Sequence, residues 1–166
     1  LRLLLPLVSD VAEFNAALVE CIPRHLPRVG LEMAIDFHDE PYYGKSEAVQ
    51  AYTCRGEAHD GTTYFWRIAS LYVMWRQVRL TLALTYVLPG ESTLSIVQRL
   101  LKRRQDLGIR CKVLYLDKGF CSGDIIAYLQ DTTQPALIAC PIRGKKGRGG
   151  TRALCTGRKA YRTSYT

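Results

Sequence analysis

The sequence predicts an α/β fold carried by a mixed sheet, on three observations. Apolar segments with a period of two alternate with segments of helical period along 166 residues of 48% hydrophobic content. Two segments rich in β-branched and aromatic residues are joined by a tight turn, so they pair antiparallel. Further along, helices fall between strands and impose parallel crossovers. The length suits one hydrophobic core and is short for two.

The elements follow in order. SDVAEFNAALVEC, from Ser9, opens with a Ser-Asp cap and spaces Val11, Phe14, Leu18 and Cys21 at helical intervals, with Pro23 to stop the helix. In LEMAIDFHDEPYYG, Leu31, Met33 and Ile35 alternate with Glu32 and Ala34, the pattern of a short strand that ends on Asp36. The stretch from His38 to Gly61 has no sustained period and reads as a surface loop, of a length that is uncommon unless functional. TTYFWRIASLYVMW and RLTLALTYVL then form two strands around a turn at RQV. After Pro89-Gly90, Leu94, Val97, Leu100 and Leu101 share one helical face, and Gly108 stands where a C-terminal cap belongs. IRCKVLYLD is a strand that again stops on an aspartate, Asp117. KGF turns, Ser122 caps a helix running to Asp131, and PALIACPIRG supplies a last short strand. No internal repeat is visible.

Three strands in a meander, followed by alternating helices and strands, is the order of a ribonuclease H-like fold, though other α/β sheets share it. The chain divides into a helical lead-in, 1–30, a core, 31–142, and a basic Gly-rich segment, 143–166, that reads as the start of an insertion or loop.

The formal charge of +8 is unevenly placed. After Asp131 there are no acids, and the eight bases there, beginning with Arg143, Lys145, Lys146 and Arg148, account for the whole surplus. Such a block neutralises phosphates well, so a nucleic-acid contact is expected there; a solvated basic loop without a partner is the plainer alternative. The longest apolar segments fall short of the roughly 20 residues of a membrane-spanning helix, and the opening run lacks the features of a secretory signal. A soluble cytoplasmic protein is expected. The six cysteines form no C-x-x-C pair and have no histidine at zinc-finger spacing, so a reduced compartment without structural zinc is expected; their even number leaves disulfides open.

Asp36 and Asp117 are alike in terminating apolar strands. Singly, each reads as a turn-starter that bonds its own backbone. As a pair in a ribonuclease H-like sheet, where the first and fourth strands are parallel neighbours, they project side by side. Two adjacent carboxylates repel unless a cation lies between them, and hard oxygen ligands suit Mg²⁺ or Mn²⁺. Such metals activate a water or a 3′-hydroxyl for in-line attack on phosphorus. His38, two residues past Asp36, is expected in the loop. Asp39, Glu40 and Asp60 read as solvated acids, Tyr42 and Tyr43 as packing groups, and Lys118 as an exposed lysine within reach of a phosphate.

AIDFHDEPYYGK, CRGEAHDGTTYFWRIA, LTLALTYVLPGES and above all LYLDKGFCSGDIIAYL resemble the catalytic region of DDE-type insertion-sequence transposases of archaea and bacteria. The resemblance runs in order from about Leu31 to the basic tail. It implies a ribonuclease H-like fold, Asp36 and Asp117 as the first two catalytic and metal-holding acids, and Mg²⁺- or Mn²⁺-dependent cutting and joining of double-stranded DNA at transposon ends. Lys118, Arg143, Lys145, Lys146 and Arg148 would contact that DNA, and assembly into a homo-oligomer at full length is left open. The family also needs a third acid, a glutamate on a later helix, whereas the last glutamate here is Glu91. Asp124 is in the wrong place to replace it, so the chain reads as truncated before the final catalytic helix and inactive as it stands. The alternatives are a non-catalytic nucleic-acid-binding remnant of such an enzyme, or a haloacid dehalogenase-type phosphatase. The phosphatase wants a second aspartate where His38 stands.

Overall fold

The computed structural model describes residues 7–144 and 151–154, with side chains at 11–144, 151 and 152. Helix α1 spans Leu7–Cys21 and strand β1 Leu31–Pro41, followed by a short helix α2, Glu47–Gln50. Strands β2 (Cys54–His59), β3 (Thr62–Trp75) and β4 (Val78–Val87) lead into helix α3 (Thr93–Asp106). Strand β5 (Cys111–Leu116), helix α4 (Gly123–Asp131) and strand β6 (Ala136–Ile138) complete the sheet. The α/β expectation holds: among the described residues, six strands form one mixed sheet accompanied by four helices.

The long strand β3 organises the sheet. On one flank it pairs antiparallel with β1, from Met33 opposite Val73 to Pro41 opposite Phe65. On the other flank it pairs antiparallel with β4, from Arg67 opposite Val87 to Trp75 opposite Val78, while its first residues pair with β2. Beyond β1 the sheet continues with β5 and then β6, both parallel.

Alternation along these strands sends one set of side chains to a core covered by α3 and α4. Met33, Ile35, Leu71, Val73, Leu114 and Leu116 meet Ile96, Val97 and Leu100 of α3 and Ile125 and Leu129 of α4. Residues of opposite parity face a side that stays open to solvent, with Met74 at 53%, Tyr115 at 39% and Leu137 at 60% exposure.

Helix α3 is capped at both ends, the C-terminal one as expected. Ser92 Oγ accepts from Ser95 N. At the C-terminus Gly108, at φ +65°, donates to Gln105 O and Ile109 donates to Arg104 O, the paired bonds of a Schellman ending. Ser122 caps α4 as expected, accepting from Ile125 N.

Four expectations are corrected. β1 does not stop at Asp36: β3 offers backbone partners as far as Pro41, so the ladder continues for five more residues. The stretch 38–61 is not one loop, since it contains the end of β1, α2 and β2; Asp60 and Gly61, at φ +51° and +79°, turn β2 into β3. Among the described residues α1 already runs from Leu7, so Ser9 lies inside the helix rather than capping it. Its packed face carries Val11, Asn15 and Leu18, followed by Ile22 just past its end, whereas Phe14 and Cys21 are exposed.

Asn15 explains that face. Its side chain donates to Leu84 O at 2.9 Å and accepts from Leu84 N at 3.0 Å, taking the place of a neighbouring strand on the free edge of β4. The same Nδ2 also donates to Val11 O, and Arg103 of α3 donates to Asn15 O, so three elements meet at this residue.

Candidate metal and nucleic-acid site

The parallel ladder between β1 and β5 places Ile35 opposite Leu116. Both side chains are buried under the helices, so the next residues, Asp36 and Asp117, turn to the open face at the same level. They line one crevice of about 580 Å³, together with Ala34, Tyr72, Tyr115 and Leu137. The expected juxtaposition is therefore present, although Asp36 holds its place from within a strand and only Asp117 from a strand end.

Asp36 is half-exposed, and its Oδ2 lies 3.6 Å from Arg79 Nη2. Arg79 lies flat over Tyr72, its guanidinium carbon 3.5 Å from the ring centroid. A cation thus already stands beside the first carboxylate. Asp117 follows β5 directly and caps a 3-10 turn, Lys118–Phe120, through Oδ1, which accepts from Lys118 N at 2.6 Å. The turn-starting role is real for Asp117 and absent for Asp36. That turn is anchored by Phe120, fully buried and stacked on Phe37 at 4.5 Å between centroids.

Two carboxylates on one face fit a hard divalent cation that keeps several waters. Among the described residues no group of three or more histidine, cysteine or acidic side chains converges to complete such a site. Glu91, the last glutamate, is engaged elsewhere: its carboxylate meets Arg99 at 2.7 Å and accepts from Leu88 N. Asp124 lies in the first turn of α4.

The neighbouring acids divide in a way the sequence did not reveal. His38 belongs to β1, not a loop, on the same face as Asp36, and its Nε2 lies 2.7 Å from Glu40 Oε1. Asp39, expected to be solvated, is about a quarter exposed and receives two hydrogen bonds of 2.7 Å from Arg67. This bond pushes the Arg67 guanidinium above its ordinary value, more than burial pulls it down. Asp60 is exposed in the β2–β3 turn as expected; Tyr42 is buried, and Tyr43 is exposed rather than packed.

Of the expected phosphate-binding residues, Lys118 is exposed beside Asp117, and Arg143 is exposed on the chain leaving β6. Lys145, Lys146 and Arg148 lie outside the described residues. The described ends of that stretch are bonded together: Arg143 N donates to Thr151 Oγ1 at 2.7 Å, and Arg152 N donates to Arg143 O at 2.9 Å. Arg152 joins Arg143 there, a pairing that no spacing rule announced. A second cavity of about 530 Å³, between α1, β4 and α3, is more apolar. Its charges are largely mutually satisfied, Arg99 by Glu91 and Lys102 by Asp106, so it offers less reactive chemistry.

No family model, curated protein or solved structure matches this chain.

Proposed function

We propose that the protein is the catalytic region of a DDE-type transposase, built on a ribonuclease H-like sheet, in which Asp36 and Asp117 hold Mg²⁺ or Mn²⁺ against DNA. The observation that carries the reading is the parallel register of β1 and β5, which sets the two carboxylates level in one open crevice. The order of the sheet, with β4, β3, β1, β5 and β6 side by side, supports the same fold. Lys118 and the Arg143–Arg152 base supply positive charge for the phosphate backbone. Because the chain carries no glutamate beyond Glu91, it binds metal weakly and does not join DNA strands as it stands.

The position of Arg79 favours a second reading, that of a nucleic-acid-binding protein without catalysis, since a guanidinium stands where a metal would otherwise offset Asp36. The antiparallel pairing of β1 with β3 counts against a phosphatase of the haloacid dehalogenase type.

Mn²⁺ titration of the wild type, D36N and D117N by electron paramagnetic resonance tests the metal site. Weak binding lost in both variants is expected; binding that survives both substitutions overturns the assignment. Salt-sensitive binding of duplex DNA that is indifferent to D36N and Mg²⁺ would favour the second reading.

A further inference from the structure

Cys121 Sγ lies 3.6 Å from Cys140 Sγ. The two thiols come from the carboxyl ends of neighbouring parallel strands, Cys121 closing the 3-10 turn after β5 and Cys140 lying two residues beyond β6. Cys140 is exposed and Cys121 is partly covered. Burial raises the Cys121 thiol above its ordinary value and Cys140 adds to this, while Arg143 pulls it down. The other described cysteines are placed differently: Cys21 is exposed at the end of α1, Cys54 is buried and donates to Val87 O, and Cys111 is half-covered on β5.

We propose that Cys121 and Cys140 are an oxidative-modification site, forming a reversible disulfide when the protein meets a peroxide. A disulfide needs its sulfurs at ~2.05 Å, so the two have ~1.5 Å to close, a movement available to side chains on turns. Cys140, the exposed thiol, attacks one peroxide oxygen as thiolate. The O–O bond breaks, and hydroxide leaves as water after taking a proton, so that Cys140 becomes a sulfenic acid. The Cys121 sulfur then attacks the Cys140 sulfur: the S–S bond forms, the S–O bond breaks, and the second oxygen departs as water with the proton from Cys121. Two thiols and one peroxide give one disulfide and two waters. In a reducing compartment such a bond is transient and responsive rather than structural.

The bond would tie the turn after Asp117 to the chain leaving β6, closing α4 and β6 into a covalent loop. Ala139, beside Cys140, lines the same crevice as Asp117, so the link tethers two walls of that crevice. This holds whatever the crevice binds.

Tryptic cleavage after Lys118 and Arg143 releases residues 119–143 as one peptide containing both cysteines. The full chain is treated with hydrogen peroxide, alkylated, digested and mapped by mass. The peptide should appear two hydrogens lighter than its dithiol form, unalkylated, and revert with dithiothreitol. C140S should abolish that species and leave Cys121 open to alkylation, and C155S should leave it intact. The native chain should form it several-fold faster than the same chain in denaturant, which removes folding of the variants as an alternative. Equal rates in the two conditions, over-oxidation of Cys140 without linkage, or linkage of either cysteine to Cys155 or Cys21 overturns the proposal.

Discussion

The Arg79 guanidinium is held between the Tyr72 ring, 3.5 Å below its carbon, and the Asp36 carboxylate, 3.6 Å away. The stacking fixes the arginine on the open face, so it competes with any metal for the first carboxylate. Asp36 and Arg79 are both about half exposed, so solvent screens the pair and it is worth roughly 0–1 kcal/mol. Replacing Arg79 with Gln should therefore tighten Mn²⁺ binding by up to about fivefold. Direct titration checks this, and weaker or unchanged binding would show that Arg79 does not oppose the metal.

Asn15 holds the backbone of β4 at its free edge. Asn15→Ala leaves Leu84 N and O without their partners and unties α1, at a cost of about 1–3 kcal/mol. Urea unfolding measures the loss. An edge without its cover also invites pairing with a second chain, so the variant should show concentration-dependent association in sedimentation. A change below roughly 0.5 kcal/mol would mean that water replaces the side chain without penalty.

What the sequence allowed and what it concealed follow one physical division. The alternation of Leu31, Met33 and Ile35 is local and was legible, whereas the level placement of Asp36 and Asp117 rests on the parallel pairing of β1 with β5, which was expected only from the ribonuclease H-like order of elements. The length of β1 was not, because Phe37 to Pro41 are extended only where β3 runs long enough to pair them. Asp60-Gly61 did carry a readable turn signature between residues that alternate poorly, and β2 follows from it. Asn15 was hidden for a different reason: a search for apolar periodicity skips a polar residue, and its role is set by a strand 69 positions away. The Arg79–Asp36 and Cys121–Cys140 contacts are likewise products of register, invisible until the strands are paired.

The β3–β4 turn is built from Arg76 and Gln77 at φ +49° and +65°, a conformation that side chains adopt with strain. Gly at the second position removes that strain but adds freedom to the unfolded chain, so Gln77→Gly should stabilise by only about 0.5 kcal/mol. Gln77→Val should destabilise by about 1–2 kcal/mol, since a β-branched residue fits this region worst. Arg76 is best left in place, because it lies 4.6 Å over the Trp75 ring. Thermal unfolding of the two variants checks the order; a neutral valine would remove the strain from this turn.

Alkaline pH should destabilise the fold under reducing conditions. Burial raises the Cys54 and Cys111 thiols above their ordinary value of 9.0. Each is therefore still protonated in the folded chain when it has begun to ionise in the unfolded one. The unfolded state binds fewer protons there, so stability is complete below 9.0 and falls as pH rises above it. Tyr115 acts in the same direction above 10.0, held protonated by its hydrogen bond to Glu32. Deprotonating Cys54 would also end its bond to Val87 O. Urea midpoints measured from roughly pH 8 to 10 should fall in the wild type and fall less steeply in Cys54→Ala. Parallel slopes would show that this thiol titrates alike in both states, and its burial would then have no part in the alkaline limb.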